Sequence, residues 1–310
     1  MEQPYLSIVI PVYNEEFNLE PLMERLYPAV SATGHTFEIL FTNDGSRDRS
    51  LEILRGMVDR YPGVKVIEFN GNFGQHMAIL AAFEMSKGQI VITLDADLQN
   101  PPEEIPRLVA EIEKGYDVVG SIRQKRQDSL FRKLASRVVN ITTNKMTGMK
   151  MNDYGCMLRA YHRNIIDNIN RCGESTTFIP ALAQTFAAKP TEIEVAHAER
   201  SAGESKYSLY KLIRLNFDLM TGFSVVPLQL FALFGIITSV LSLAFALFLL
   251  IRRFVVGAEV EGVFTLFAIL FFFVGIIIMG IGIVGEYVGR IYQEVRKRPR
   301  FVVRRTYGFE

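Results

Sequence analysis

The sequence predicts an α/β fold: a mostly parallel sheet with helices on both faces, followed by a two-helix transmembrane hairpin. Three observations predict it. Short apolar runs alternate with amphipathic ones through the first part of the chain. Two long stretches, 219–251 and 262–285, carry no charge at all. Polar, acid-rich segments follow three of the apolar runs directly.

The elements follow in order. SIVIPV (7–12) reads as a strand, and residues 17–30 have helical spacing. FEILFT (37–42) is a strand and 48–61 a helix; VKVIEF (64–69) is the next strand. Residues 75–87 are helical and end at Gly88, a favourable stop. IVITL is a strand that runs into Asp95, residues 102–114 are a helix followed by Gly115, and YDVVGSI (116–122) is a further strand. Alternation of this kind implies a parallel sheet covered on both faces. Such sheets bind ligands at the carboxyl ends of their strands. Three ends here are unusually polar: PVYNEE (11–16), NDGSRD (43–48) and DADLQ (95–99). All three fall on one edge and form one candidate site.

A membrane span needs about 20 apolar residues, and both uncharged runs reach that length. The expected divisions are a cytosolic domain at 1–215, two spans at about 228–251 and 263–285 within 216–290, and a basic tail at 291–310. Basic residues set the orientation. Lys206, Lys211 and Arg214 precede the first span, and Arg290, Arg296, Lys297, Arg298, Arg300, Arg304 and Arg305 follow the second. Arg252 and Arg253 between the spans are offset by Glu259 and Glu261. Both termini are therefore expected in the cytosol. The tail's charges suit an anionic lipid surface or plain solvation. The run LSIVIPVY is short and flanked by acids, unlike a signal peptide. The two cysteines, Cys156 and Cys172, suggest no disulfide framework and a reducing setting. A net charge of +1 points to no nucleic-acid partner.

DADLQ carries the chemistry. Mg²⁺ and Mn²⁺ take hard oxygen ligands and bridge carboxylates to substrate phosphates. Asp95 and Asp97 serve that pattern if the chain bends after the strand, and Gln99 offers another oxygen. The alternative is helix capping by Asn100 ahead of Pro101, Pro102, Glu103 and Glu104. Capping accounts for those residues but not for Asp95 and Asp97. NDGSRD is also an ordinary turn signal. Residues 129–146 read as an amphipathic helix, with Leu130, Phe131, Leu134 and Val138 opposite Arg132, Lys133 and Arg137. Such a helix lies in a membrane interface or packs as a surface helix; 207–220 is similar.

The segments IVIPVYNEE, NDGSRD, NFGQH, LDADLQNPPE, DYGCMLRAY and RSAGESKYS resemble those of the inverting family 2 glycosyltransferases with the GT-A fold. More narrowly, they resemble polyprenyl-phosphate glycosyltransferases, and the likeness extends to RQDSLFRK (126–133) and GEYVGRIY (285–292). The resemblance implies the following roles. Pro11, Tyr13 and Glu15 line a uridine pocket, and Asp44 contacts the base. Asp95 sits near the ribose and the metal, while Asp97 ligates the metal with Gln99. Asn43 stands where many relatives carry an acid. Arg200 and the segment of Gly203, Ser205 and Lys206 form a mobile loop over the diphosphate. Arg123, Arg132 and Ser136 receive the lipid phosphate, and Asp153 faces the reacting sugar. The implied reaction moves a sugar from a UDP-sugar to undecaprenyl phosphate, with Mg²⁺ or Mn²⁺, at a bacterial inner membrane, in a homo-oligomer that relatives suggest is a tetramer. GQH (74–76) and DYGC (153–156) tilt the sugar to 4-deoxy-4-formamido-L-arabinose, a lipid A modification; glucose, mannose or another sugar is the alternative.

Other classes are weaker. Processive polysaccharide synthases carry a Q-x-x-R-W motif, and this chain has no Trp. A transporter needs charges within its spans, and these have none. A protein that only binds a nucleotide sugar is the remaining competitor.

Overall fold

The computed structural model describes residues 3–123, 156–172, 178–196, 226–256, 263–296 and 298–309. Two compact units divide the chain, Met1–Ser208 with Arg298–Glu310, and Leu209–Lys297. The expected interfacial helices at 129–146 and 207–220 lie outside the described residues.

The first unit is built on one eight-stranded sheet. Its strands are β1 (Leu6–Val12), β2 (Phe37–Asn43), β3 (Val64–Phe69), β4 (Ile90–Thr93), β5 (Val118–Arg123), β6 (Arg159–His162), β7 (Pro190–Val195) and β8 (Val303–Tyr307), in the order β7-β5-β6-β4-β1-β2-β3-β8. The pairs β1–β2, β1–β4, β2–β3 and β5–β7 are parallel. β6 runs antiparallel to both β4 and β5, and β8 runs antiparallel to β3. This is a GT-A-like α/β arrangement, and the mostly parallel sheet is as expected.

β1 sits at the centre, and its side chains from Leu6 to Ile10 are all buried. A strand covered on both faces reads as a continuous apolar run rather than an alternating one, as SIVIPV does. The helices of the first half are α1 (Leu19–Ser31), α2 (Ser50–Arg60), α3 (Gln75–Met85) and α4 (Ile105–Glu113). α1 buries Leu19, Leu22, Met23, Leu26 and Val30, the spacing of one helical face. α3 buries six consecutive residues from Ala78 to Phe83, so it is enclosed on all sides. α5 (Arg163–Arg171) and α6 (Ile179–Phe186) follow β6.

Two features go beyond the elements expected from the sequence. YDVVGSI does not pair with IVITL, because β6 inserts between them. The basic tail is not merely a solvated extension of a span. Its residues Val303–Tyr307 form the edge strand β8 and belong to the same unit as the sheet. Two side chains pin it there: Tyr307 donates to Glu68 Oε2 at 2.8 Å and Arg304 Nη1 to Glu68 Oε1 at 3.2 Å, with Glu68 buried.

The second unit contains α7 (Val226–Val256) and α8 (Val263–Val295), of 31 and 33 residues. The described parts of both uncharged stretches are thus helical. Among the described residues one segment, Phe272–Tyr292, is long and apolar enough to cross a membrane, and almost none of it is buried within the chain. Leu228–Thr238 of α7 is a shorter apolar segment. The two helices touch where the Phe231 ring lies on buried Gly280, leaving no room for a Cβ there.

Candidate active site

Parallel pairing brings the polar strand ends together. Val12 of β1 pairs with Asn43 of β2, and Val9 of β1 with Thr93 of β4. PVYNEE, NDGSRD and DADLQ therefore leave the sheet from neighbouring strands on one edge, as expected. β3 ends on the same edge, since it runs parallel to β2. It contributes a fourth loop, NGNFG (70–74), that leads into α3.

The first two loops are laced together by side chain to backbone bonds. Asn14 N donates to Ser46 Oγ at 3.1 Å, and Arg47 N to Asn14 Oδ1 at 2.8 Å. Glu15 N donates to Ser50 Oγ at 2.9 Å and Glu16 N to Asp48 Oδ2 at 3.2 Å. The Glu15 carboxylate accepts from Asn18 Nδ2 at 2.6 Å. Pro11 is half-buried in β1, while Tyr13 stands 43% exposed at the rim. Asn43 Oδ1 faces its own turn, accepting from Ser46 N at 3.4 Å.

Asp44 is 3% exposed and organises the fourth loop. Its backbone N–H donates to Val12 O at 2.9 Å, which fixes it to β1. Its carboxylate takes Phe73 N at 2.7 Å and Gly74 N at 2.9 Å, one on each oxygen. Burial pushes its carboxyl above the ordinary value, and the Phe73 and Gly74 amides partly oppose that. The neighbouring Gly45 adopts φ +68°, and a Cβ there would lie 2.5 Å from the Gly71 carbonyl carbon. No larger residue lets these two loops approach so closely.

After β4 the chain bends, the condition that DADLQ needed. Leu98 adopts φ +61°, and Asp97 Oδ1 accepts from Gln99 N at 3.1 Å, closing a local turn. Asn14 and Leu98 are the two non-glycine residues with positive φ among the described ones. Left-handed backbone at such a residue costs about 1–2 kcal/mol, and both instances lie in these loops. Ala96 is buried while Asp95 and Asp97 remain half-exposed. Asp95 Oδ1 accepts from Gln75 Nε2 at 2.6 Å. Among the described residues no three His, Cys, Asp or Glu side chains gather as a metal cluster. Asp95, Asp97 and Gln99 supply hard oxygens that suit a divalent cation completed by ligands from a substrate.

The capping alternative for Asn100 does not hold. A 3₁₀ turn, Pro102–Glu104, precedes α4, and neither has a side-chain cap. Asn100 is buried and its Oδ1 instead faces Cys156 Sγ at 3.6 Å. Thr93 Oγ1 donates to Met157 O at 2.5 Å. The segment preceding β6 is thereby tied to DADLQN. Arg159, wholly buried in β6, donates from Nε to Cys156 O at 2.8 Å. Arg123 ends β5, which runs in the same direction as β4, so it lies on the site's edge of the sheet. Asp153, Arg200, Ser205, Lys206, Arg132 and Ser136 lie outside the described residues.

The sequence singles out GQH (74–76) only as a pointer to the sugar and does not show that Gln75 reaches Asp95, although the rule about strand ends applies equally to NGNFG after β3. His76 packs edge-on against Phe178, with ring centroids 5.4 Å apart. Among the described residues its Nδ1 is buried without a partner, and burial pushes its imidazole down to about 4.

The model of the family described as Glycosyl transferase family 2 matches residues 7–169, a span that holds all four loops. The chain belongs to glycosyl transferase family 2. The transferase is 53% identical over 304 residues to the undecaprenyl-phosphate 4-deoxy-4-formamido-L-arabinose transferase of Pseudomonas aeruginosa, covering 97% of this chain and 90% of that protein. It is 52% identical over 303 residues to the protein of the same name from Edwardsiella ictaluri, covering 96% and 93%. Among solved structures, glucosyl-3-phosphoglycerate synthase from Mycobacterium tuberculosis, crystallised with Mn²⁺, UDP and glucosyl-3-phosphoglycerate, is similar with a TM-score of 0.51. That likeness covers 70% of this chain and 78% of the other at 18% identity, and it concerns the fold.

Proposed function

We propose that this glycosyltransferase moves 4-deoxy-4-formamido-L-arabinose from a UDP-linked donor to undecaprenyl phosphate, with inversion at the anomeric carbon. The observation that carries this reading is identity above 50% along nearly the whole chain to transferases of that name. The site supports it with two acids on a bent loop at the strand ends, where a nucleotide donor binds in sheets of this kind.

A phosphate oxygen of the acceptor attacks the anomeric carbon, the bond from that carbon to the UDP oxygen breaks, and UDP leaves with the charge. The second pKa of a phosphate monoester is about 6, so the nucleophile is largely ionised at neutral pH and needs no strong base. Pro11, Tyr13, Glu15 and Asp44 hold the uridine. Asp97, with Asp95 and Gln99, holds a divalent ion, Mg²⁺ or Mn²⁺, which when bound supplies Lewis-acid stabilisation of the departing diphosphate. Arg200, Ser205 and Lys206 close on that diphosphate. Arg123, Arg132 and Ser136 take the acceptor phosphate, for which arginine's fork is suited. Asp153, three residues before Cys156, orients the reacting sugar.

The acceptor is a lipid, so the chemistry takes place at a bacterial inner membrane. α7 and α8 form its two-span hairpin, with the sheet domain and both termini in the cytosol. The large apolar side chains that both helices expose, such as Leu233, Ile237, Ile277 and Ile281, support lipid contact. Homo-oligomerisation as a tetramer rests on resemblance alone.

The test is release of UDP by purified protein with undecaprenyl phosphate and Mn²⁺ across a panel of UDP-sugars. Release with the 4-deoxy-4-formamido-L-arabinose donor alone is the expected result. Release only with UDP-glucose or another donor overturns the sugar, and UDP binding without release from any donor overturns the enzyme reading.

A further inference from the structure

The two acids of DADLQ are supported in different ways. Asp97 is held by its own turn, through Gln99 N. Asp95 is held from outside that loop: Gln75, the first residue of α3, places its Nε2 at 2.6 Å from Asp95 Oδ1. Gln75 is itself fixed. Gly74 N and Phe73 N are bound by the Asp44 carboxylate, Asn72 Nδ2 reaches Asp44 O at 3.2 Å, and Met77 N closes the first turn onto Gly74 O at 3.0 Å. Asp44 in turn is anchored on Val12 of β1. A path of hydrogen bonds joined by the covalent chain thus runs from β1 through Asp44, the 73–75 backbone and the Gln75 side chain to Asp95.

We infer that Gln75 is a positioning residue that orients Asp95 toward the divalent ion of the donor site, at the end of a relay that begins at Asp44. This rests on the divalent-ion reading above. An amide donor on one carboxylate oxygen restricts the side chain to one orientation before any ligand arrives. Partners of this kind, one step removed from the ion, commonly change metal affinity by about 10- to 100-fold when lost. The relay also links the uridine end of the site to the diphosphate end.

The test is calorimetric UDP binding to the full-length protein in detergent, titrated with Mn²⁺, for the wild type, Gln75→Met and Gln75→Asn. Methionine keeps the length and helix propensity but has no donor. Asparagine keeps the amide but falls one carbon short, and it remains useful if the methionine variant folds poorly. Thermal unfolding is measured alongside. The expected result is that both variants need about tenfold more Mn²⁺ for half-maximal UDP binding, yet reach near wild-type UDP affinity at saturating Mn²⁺. Midpoints within about twofold of the wild type overturn the inference, whether or not the melting temperature moves, because Gln75 is then only a tie between α3 and the loop. If wild-type UDP binding ignores Mn²⁺ altogether, the divalent-ion reading fails and this inference falls with it, a result distinct from an unresponsive variant.

Discussion

The close approach of the NDGSRD and NGNFG loops can be tested at single atoms. Three glycines separate the contributions. Gly34 has φ +74° with open space around its missing Cβ. Gly71 has open space and no positive φ. Gly45 has φ +68°, and its Cβ would lie 2.5, 2.8 and 2.9 Å from backbone atoms of Gly71 and Asn72. Gly34→Ala therefore carries strain alone, about 1–2 kcal/mol. Gly71→Ala carries neither term and should fall within about 0.5 kcal/mol of the wild type, helped by a less flexible unfolded chain. Gly45→Ala carries the strain and a collision with backbone that cannot swing aside, a further ~1–3 kcal/mol. Its total is about 2–5 kcal/mol, or roughly 4–20 °C in melting temperature at about 2–4 °C per kcal/mol for a domain of this size.

With no Trp in the chain, thermal unfolding is best followed with a thiol-reactive fluorophore. Cys156 is 1% exposed and reports loss of the fold in a Cys172→Ser background, since half-exposed Cys172 reacts in the folded state. Gly45→Ala should also weaken UDP binding, because relief of the collision moves residues 71–72 and with them Asp44's amide partners. Equal melting temperatures for Gly45→Ala and Gly34→Ala would refute the reasoning, since the collision would then cost nothing. A large loss in Gly71→Ala would refute it too.

Other predictions follow from the same geometry. Asp97→Asn should lower turnover by about 10³-fold, the worth of several kcal/mol at the leaving group, without lowering the melting temperature, because Asn still accepts from Gln99 N; substantial residual turnover at saturating Mn²⁺ would count against it. His76 holds its imidazole at about 4, below the unfolded value of 6.5, so the unfolded chain binds the proton first and stability is lost as pH falls from 6.5 to about 4. The loss attributable to this residue is roughly 2–3 kcal/mol, and His76→Asn should flatten that part of a melting-temperature against pH curve; parallel curves would exclude it. Tyr307→Phe removes one of two donors to buried Glu68 and should cost about 1–3 kcal/mol, read as a lower melting temperature, whereas an unchanged one would mean that β8 is not held through Glu68.

What was legible in the sequence depended on how each feature is encoded. The parallel strands from β1 to β4 write themselves as apolar runs, since both faces of each are covered, and α1 writes its buried face as Leu19, Leu22, Met23 and Leu26. Asp95 and Asp97 stood out because charge at the end of such a run is costly to bury without purpose. β8 was hidden because an edge strand tolerates charge, and Arg304 and Arg305 made Val303–Tyr307 look like a solvated tail. β6 was hidden because it is four residues long and contains an arginine, buried at no exposure, that reads as a surface residue. Asn100 misled because its type suits a cap, while its actual neighbour, Cys156, is remote in sequence. The relay around Asp44 was invisible for a deeper reason. Its acceptor is a side chain, but its donors at Phe73 and Gly74 are backbone N–H groups, which nearly every residue type provides. Side chains therefore announced which groups meet the donor, while the backbone, unreadable from residue identity, decides how firmly they are held.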